Sequence, residues 1–183
     1  MSIIKKLVLV AFLTTFSNLL NAEEVKKLGK HKDWETYVVN GAAGKVCFAQ
    51  SKPVLQAPKN NPREARLFIS FRPGENISNE ISITSGYKYN NKNSVIAKSG
   101  KNKYKFDIVQ ESFAWMTSDK REKKMIKIMQ KGSRIMVTGY NQKGSQTIDH
   151  YSLLGFTKAY KATKANFSSR TTNNISFPIF MFT

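Results

Sequence analysis

Through most of the chain, apolar and polar positions alternate with a period of two, the spacing that puts successive side chains on opposite faces of a strand. Residues 34–39, Trp-Glu-Thr-Tyr-Val-Val, are aromatic and β-branched and predict a strand. The Asn-Gly-Ala-Ala-Gly turn at 40–44 returns the chain into 46–50, so the two segments predict a hairpin. Residues 52–63 hold Pro53, Pro58 and Pro62 and read as a loop. A compact apolar strand over 66–71 stops at Pro73-Gly74, and 78–85 alternates with Ile81 and Ile83 on one face. After a turn region at 86–93, strands at 94–98 and 103–109 flank the turn at 99–102. In the second of these, Tyr104, Phe106 and Ile108 are expected to face the core, with Lys103, Lys105 and Asp107 outside.

One segment changes period. Residues 119–131 place Met125, Ile128 and Met129 on one helical face. Asp119 stands as N-cap with Glu122 three residues on, and Gly132 as the stop. A hairpin over 133–140 and 145–152 follows, then a second short helix over 156–164. About nine short strands with one or two helices predict an all-β fold, an antiparallel sandwich or partly open barrel.

The N-terminus adds a compartment. A short start carrying Lys5 and Lys6, an apolar stretch over 7–20 and Ala22 before Glu23-Glu24 have the parts of a cleaved signal peptide over 1–22. The apolar stretch is too short for a comfortable membrane span, so no stable span is expected after cleavage. Export to the periplasm is the expectation. No cysteine follows the stretch, which argues against lipoprotein processing. Removing 1–22 from 183 residues leaves 161, the size of one domain. Residues 23–32 are charged and are expected to precede the structured part, with the β domain over 33–165. The end, 166–183, is polar and then abruptly apolar at 177–182, and is expected to be loosely held. The single cysteine, Cys47, excludes an internal disulfide and is expected to be buried.

Charge then narrows the partners. The formal charge is +18, and removing Lys5 and Lys6 leaves +16. Such an excess attracts anionic surfaces. For an exported chain these are an envelope protein or an anionic envelope polymer. The candidate contacts are Lys120, Arg121, Lys123, Lys124 and Lys127 on the basic helix, with Lys103 and Lys105 on the strand before it. Lysine outnumbers arginine 24 to 6, so a generic solvated basic exterior stays open as the alternative. Tyr87, Tyr89 and Tyr104 interleave with lysines as a nucleic-acid platform would. Their alternating positions fit core rings with lysines outside, and no nucleic acid is expected.

Candidate chemistry is sparse. His31 and His150 are the only imidazoles; His31 is expected to be exposed. Asp149 and His150 are adjacent on a strand and point to opposite faces, so Asp149 cannot readily orient His150 toward Cys47. Asp149 and Asp107 read as solvated strand residues. No metal-spaced cluster of His, Cys and carboxylates is present, and no cofactor is expected. The reading is a non-enzymatic envelope protein. A small outer-membrane β-barrel and an enzyme with an unrecognised site are the alternatives.

Three stretches together resemble a known family. Cys47-Phe48-Ala49-Gln50-Ser51-Lys52-Pro53 follows a strand led by Trp34. Ala114-Trp115 runs into the basic helix, whose end at 125–132 resembles a Met-x-x-Gly turn. The third and most specific is Thr147-Ile148-Asp149-His150-Tyr151-Ser152-Leu153-Leu154-Gly155-Phe156-Thr157-Lys158-Ala159-Tyr160. The arrangement resembles the invasion-associated locus B family of alphaproteobacteria over roughly 34–165. The resemblance implies an exported all-β domain, associated with host-cell invasion in some members. It carries no catalytic residues to transfer. Relatives often have a second cysteine after the Phe-Thr-x-Ala-Tyr segment to pair with the one matching Cys47. Here 162–166 reads Ala-Thr-Lys-Ala-Asn, so no such bridge forms. Trp34, Cys47, Trp115, Gly155 and Phe156 are then expected to be structural, Gly155 for a tight turn and Phe156 for the core.

Overall fold

The computed structural model describes residues 24–41 and 44–168; the leader at 1–22 and the apolar segment at 177–182 lie outside the described residues. Among the described residues, twelve strands form two open antiparallel sheets. The larger sheet runs β1 (Glu24–His31), β2 (Trp34–Gly41), β3 (Gly44–Ser51), β5 (Arg66–Arg72), β6 (Ile77–Thr84), β10 (Phe113–Trp115), β9 (Ile108–Gln110). The smaller runs β4 (Leu55–Ala57), β12 (Gln146–Ser152), β11 (Arg134–Tyr140), β7 (Val95–Ser99), β8 (Asn102–Phe106). Two stacked sheets are a sandwich, not the closed ring of an outer-membrane barrel. No helix among the described residues is long and apolar enough to cross a membrane.

The period of two decides what is buried. On the larger sheet Cys47, Ala49, Leu67, Ile69, Phe71, Ile81, Ile83 and Ala114 point inward and are fully buried. The smaller sheet contributes Val95, Ala97, Tyr104, Phe106, Ile135, Val137 and Tyr151 to the same core. Two helices, α1 (Asp119–Lys131) and α2 (Phe156–Ser168), complete the cover over the larger sheet. Trp34 ties these layers together: its Nε1 donates to the Ser152 carbonyl at 3.0 Å. Its ring meets Phe156 edge-on at 4.8 Å.

Several elements differ from the sequence expectation. Structure begins before Asp33, because β1 pairs along the whole of β2 from Glu24. This strand buries almost nothing, with Val25 61 % exposed, so the backbone ladder holds it and no apolar pattern announces it. Within the 52–63 loop, β4 pairs with β12. The segment 103–109 is two strands, not one. The chain leaves the smaller sheet after Phe106 and joins the larger at Ile108, which is 45 % exposed instead of core-facing. The corner is Asp107, clamped by Arg121 Nη1 at 2.5 Å and the Thr117 hydroxyl at 3.3 Å. Likewise α2 continues to Ser168, past the start of the expected tail.

Candidate functional site

The basic helix is built from its caps inward. Ser118, not Asp119, is the N-cap: its hydroxyl accepts the Arg121 N–H at 3.4 Å, and its carbonyl accepts the Glu122 N–H at 3.0 Å. Asp119 becomes the first helical residue, where its charge complements the helix dipole. At the other end the Gly132 N–H reaches the Ile128 carbonyl at 2.9 Å. A Cβ on Gly132 would lie 3.1 Å from both that carbonyl and Leu153, so close packing favours glycine here.

One face of α1 is fixed against the core through Glu122, Met125, Ile126 and Met129. Glu122 does not reach back to the cap as a capping-box partner. It accepts the Ile81 N–H of β6 at 2.8 Å, just beyond Ser82, where β10 stops pairing. Burial raises its carboxyl to about 7, outweighing the bond from Ile81; Glu80 and Asp119 push the same way.

The opposite face carries Lys120, Lys123, Lys124 and Lys127, all exposed, at the i, i+3, i+4, i+7 spacing of one helical stripe. With Asp119 they line one surface depression. None of the four enters an ion pair within 4.0 Å among the described residues. Arg121, expected to be a fifth contact, is instead engaged internally with Asp107 and with the Lys105 carbonyl. Burial opposes ionisation of Asp107, yet Arg121 and Thr117 hold its carboxyl below the ordinary range. This clamp joins α1 to the end of β8. Lys103 and Lys105 are exposed on the outer side of that strand. Lys103 stands directly opposite Lys98 of β7, a like-charge pair that costs stability in isolation.

The candidate nucleophile and base are kept apart. Cys47 lies on the inner face of the larger sheet and His150 on the outer side of the smaller, with core side chains between. His31 is half-buried instead of exposed. Asp149 is not a solvated strand residue: it is fully buried, and its Oδ1 accepts Arg63 Nη2 at 2.6 Å and Gln56 Nε2 at 3.0 Å. Gln56 Oε1 also accepts the Arg63 N–H at 3.1 Å, so this cluster pins the 52–63 loop onto β12. Burial pushes the Tyr151 hydroxyl well up, and Asp149 and Tyr89 add to the effect. No group of three or more His, Cys, Asp or Glu side chains gathers as a metal site among the described residues.

The residues read as structural fall in two places. Trp34, Cys47 and Phe156 are fully buried. Gly155 has φ +91°, and a Cβ there would lie 1.8 Å from the His31 carbonyl oxygen. Trp115 is different. It lies half-buried on the outer face of the larger sheet, stacked on Phe113 with ring centroids 5.7 Å apart. Sequence reading missed this outer row because strands apolar on both faces show no alternation. The continuous runs Tyr37-Val38-Val39, Val46-Cys47-Phe48-Ala49, Leu67-Phe68-Ile69 and Phe113-Ala114-Trp115 are its trace.

Comparison with known proteins agrees with this architecture. No curated protein matches the chain. A solved structure titled as the crystal structure of invasion associated protein b from Bartonella henselae superposes with a TM-score of 0.54 at 12% identity. The match covers 77% of this chain and 97% of that one, a likeness of fold. The family model described as invasion associated locus B (IalB) protein matches residues 34–164. That span contains both sheets except β1, together with α1 and most of α2, and the chain belongs to the invasion-associated locus B family.

Proposed function

We propose that the protein is an exported, non-enzymatic envelope domain that docks on an anionic envelope component through the lysine face of α1. One observation carries the reading: Lys120, Lys123, Lys124 and Lys127 share an exposed stripe free of ion pairs among the described residues, on a helix whose other face is locked into the core. A stripe so placed meets a phosphate- or carboxylate-bearing surface with little loss of order in the scaffold. Lys103 and Lys105 are exposed on β8, which the Arg121 clamp joins to α1. Export rests on the leader at 1–22, and the absence of catalysis on the separation of Cys47 from His150.

The test is fractionation of cells carrying the full chain, with the N-terminus of the recovered protein sequenced. The expected result is a protein that begins at Glu23, stays with the envelope after osmotic shock at low salt and is released without detergent when salt is raised. Retention that only detergent reverses, or an uncleaved N-terminus, would overturn it.

A further inference from the structure

On its outer face, the larger sheet carries a row of rings that its own described elements leave uncovered. Tyr37 stacks on Phe48 at 5.2 Å, Phe48 meets Phe68 at 6.0 Å, Phe68 meets Phe113 at 6.2 Å, and Phe113 stacks on Trp115. Val39 and Val46 pair beside Tyr37 and Phe48 and extend the row toward the β2–β3 turn. Contiguous apolar surface on this scale marks a place where something binds. Nearby charges are already matched: Arg72 grips Glu80 with two bonds of 2.8 Å, and Lys27 pairs with Glu35. The face therefore selects an uncharged apolar occupant, unlike the lysine stripe.

The chain contains a segment of that chemistry. After the polar stretch ending at Ser176, residues 177–182 read Phe-Pro-Ile-Phe-Met-Phe, with no charge. Its point of departure is also suitable. The last turn of α2 sits over the same end of the sheet: the Phe167 ring lies 5.5 Å from Phe71 of β5, and the Asn166 carbonyl accepts Lys45 Nζ of β3. Lys45 is next to Val46, where the outer row begins. Residues 169–176 span up to about 26 Å at roughly 3.3 Å each, against a sheet-to-sheet spacing of about 10 Å. They can round the end of the sheet. Six extended residues then cover about 20 Å, or about four strand spacings.

We infer that residues 177–182 of the same chain dock on this aromatic face, running from Val46 toward Trp115. Apolar rings on both sides drive the contact, with the segment uncharged and the charges beside the row already paired with each other.

Indole resonances read it directly. Trp34 is fully buried with its N–H bonded to the Ser152 carbonyl, and Trp115 lies in the row, so the two N–H signals report opposite sides of the larger sheet. A nitroxide attached at Thr183→Cys labels selectively, because Cys47 is fully buried. The expected result is broadening of the Trp115 signal with the Trp34 signal retained. It is independent of protein concentration and abolished by Phe180→Ser with Phe182→Ser. An unbroadened Trp115 signal overturns the proposal. So does broadening that rises with concentration and appears when labelled and isotope-enriched chains are separate molecules, which would assign the face to a second copy.

Discussion

Replacing Glu122 with glutamine isolates a buried carboxyl without changing its shape. Its folded value, about 7, stands above the ordinary 4.5 because burial disfavours the charge. Between those two values the native chain holds a proton that the unfolded chain has released. The stability this group contributes is therefore complete below about 4.5 and lost as pH rises through about 7. The gap corresponds to about 3 kcal/mol. Glu122→Gln keeps an oxygen to accept the Ile81 N–H and cannot ionise. Urea unfolding of both proteins should give equal stabilities near pH 4.5, with the variant more stable by about 2–3 kcal/mol at pH 8. Asp107 and Glu35 are held low by their partners, and their contributions run oppositely, lost as pH falls. They are common to both proteins and cancel in the difference. A difference that stays flat with pH, or that favours the wild type at pH 8, would show that the Glu122 carboxyl is not held protonated by burial.

Three further substitutions probe the scaffold and the surface. Gly155→Ala places a side chain at positive φ and against the His31 carbonyl, so a loss of about 3 kcal/mol or more is expected; an unchanged melting temperature would contradict that packing. Arg63→Met strands the buried Asp149 carboxylate and should cost about 3–5 kcal/mol in denaturant unfolding, with Arg63→Met/Asp149→Leu recovering much of it. A double variant no more stable than the single would show that the ion pair is not the cause. Lys123→Gln with Lys127→Gln should leave the melting temperature unchanged, since both side chains are exposed and outside any ion pair among the described residues.

The residues that alternate were legible from the sequence. The β2–β3 and β11–β12 hairpins, the strand over β5 and both helices follow from periodicity and turn chemistry, because burial on one face writes a period into the chain. What burial does not write stayed hidden. The backbone ladder holds β1 while its side chains stay in solvent, and β4 is three residues inside a proline-rich loop. The break at Asp107 depends on Arg121, fourteen residues on and invisible to a local pattern. Ser118 displaced Asp119 as the cap by one position, a shift within the reach of competing cap residues. At the candidate surface, the lysine spacing on α1 was readable. That Arg121 would be paired with Asp107 was not, because nothing local distinguishes it from its neighbours. Asp149 misled for the same reason: its partners Gln56 and Arg63 lie far back in the chain.

The lysine face is tested by adding the protein recovered after export, beginning at Glu23, to vesicles of phosphatidylglycerol and to vesicles of uncharged phosphatidylcholine. Association with the anionic vesicles alone, weakening as salt is raised, is expected. Lys123→Gln with Lys127→Gln should lose about 30-fold in affinity, from roughly 1 kcal/mol per lysine at the surface. Equal binding to both lipids, or anionic binding that the double variant leaves intact, would rule out docking through the lysine face.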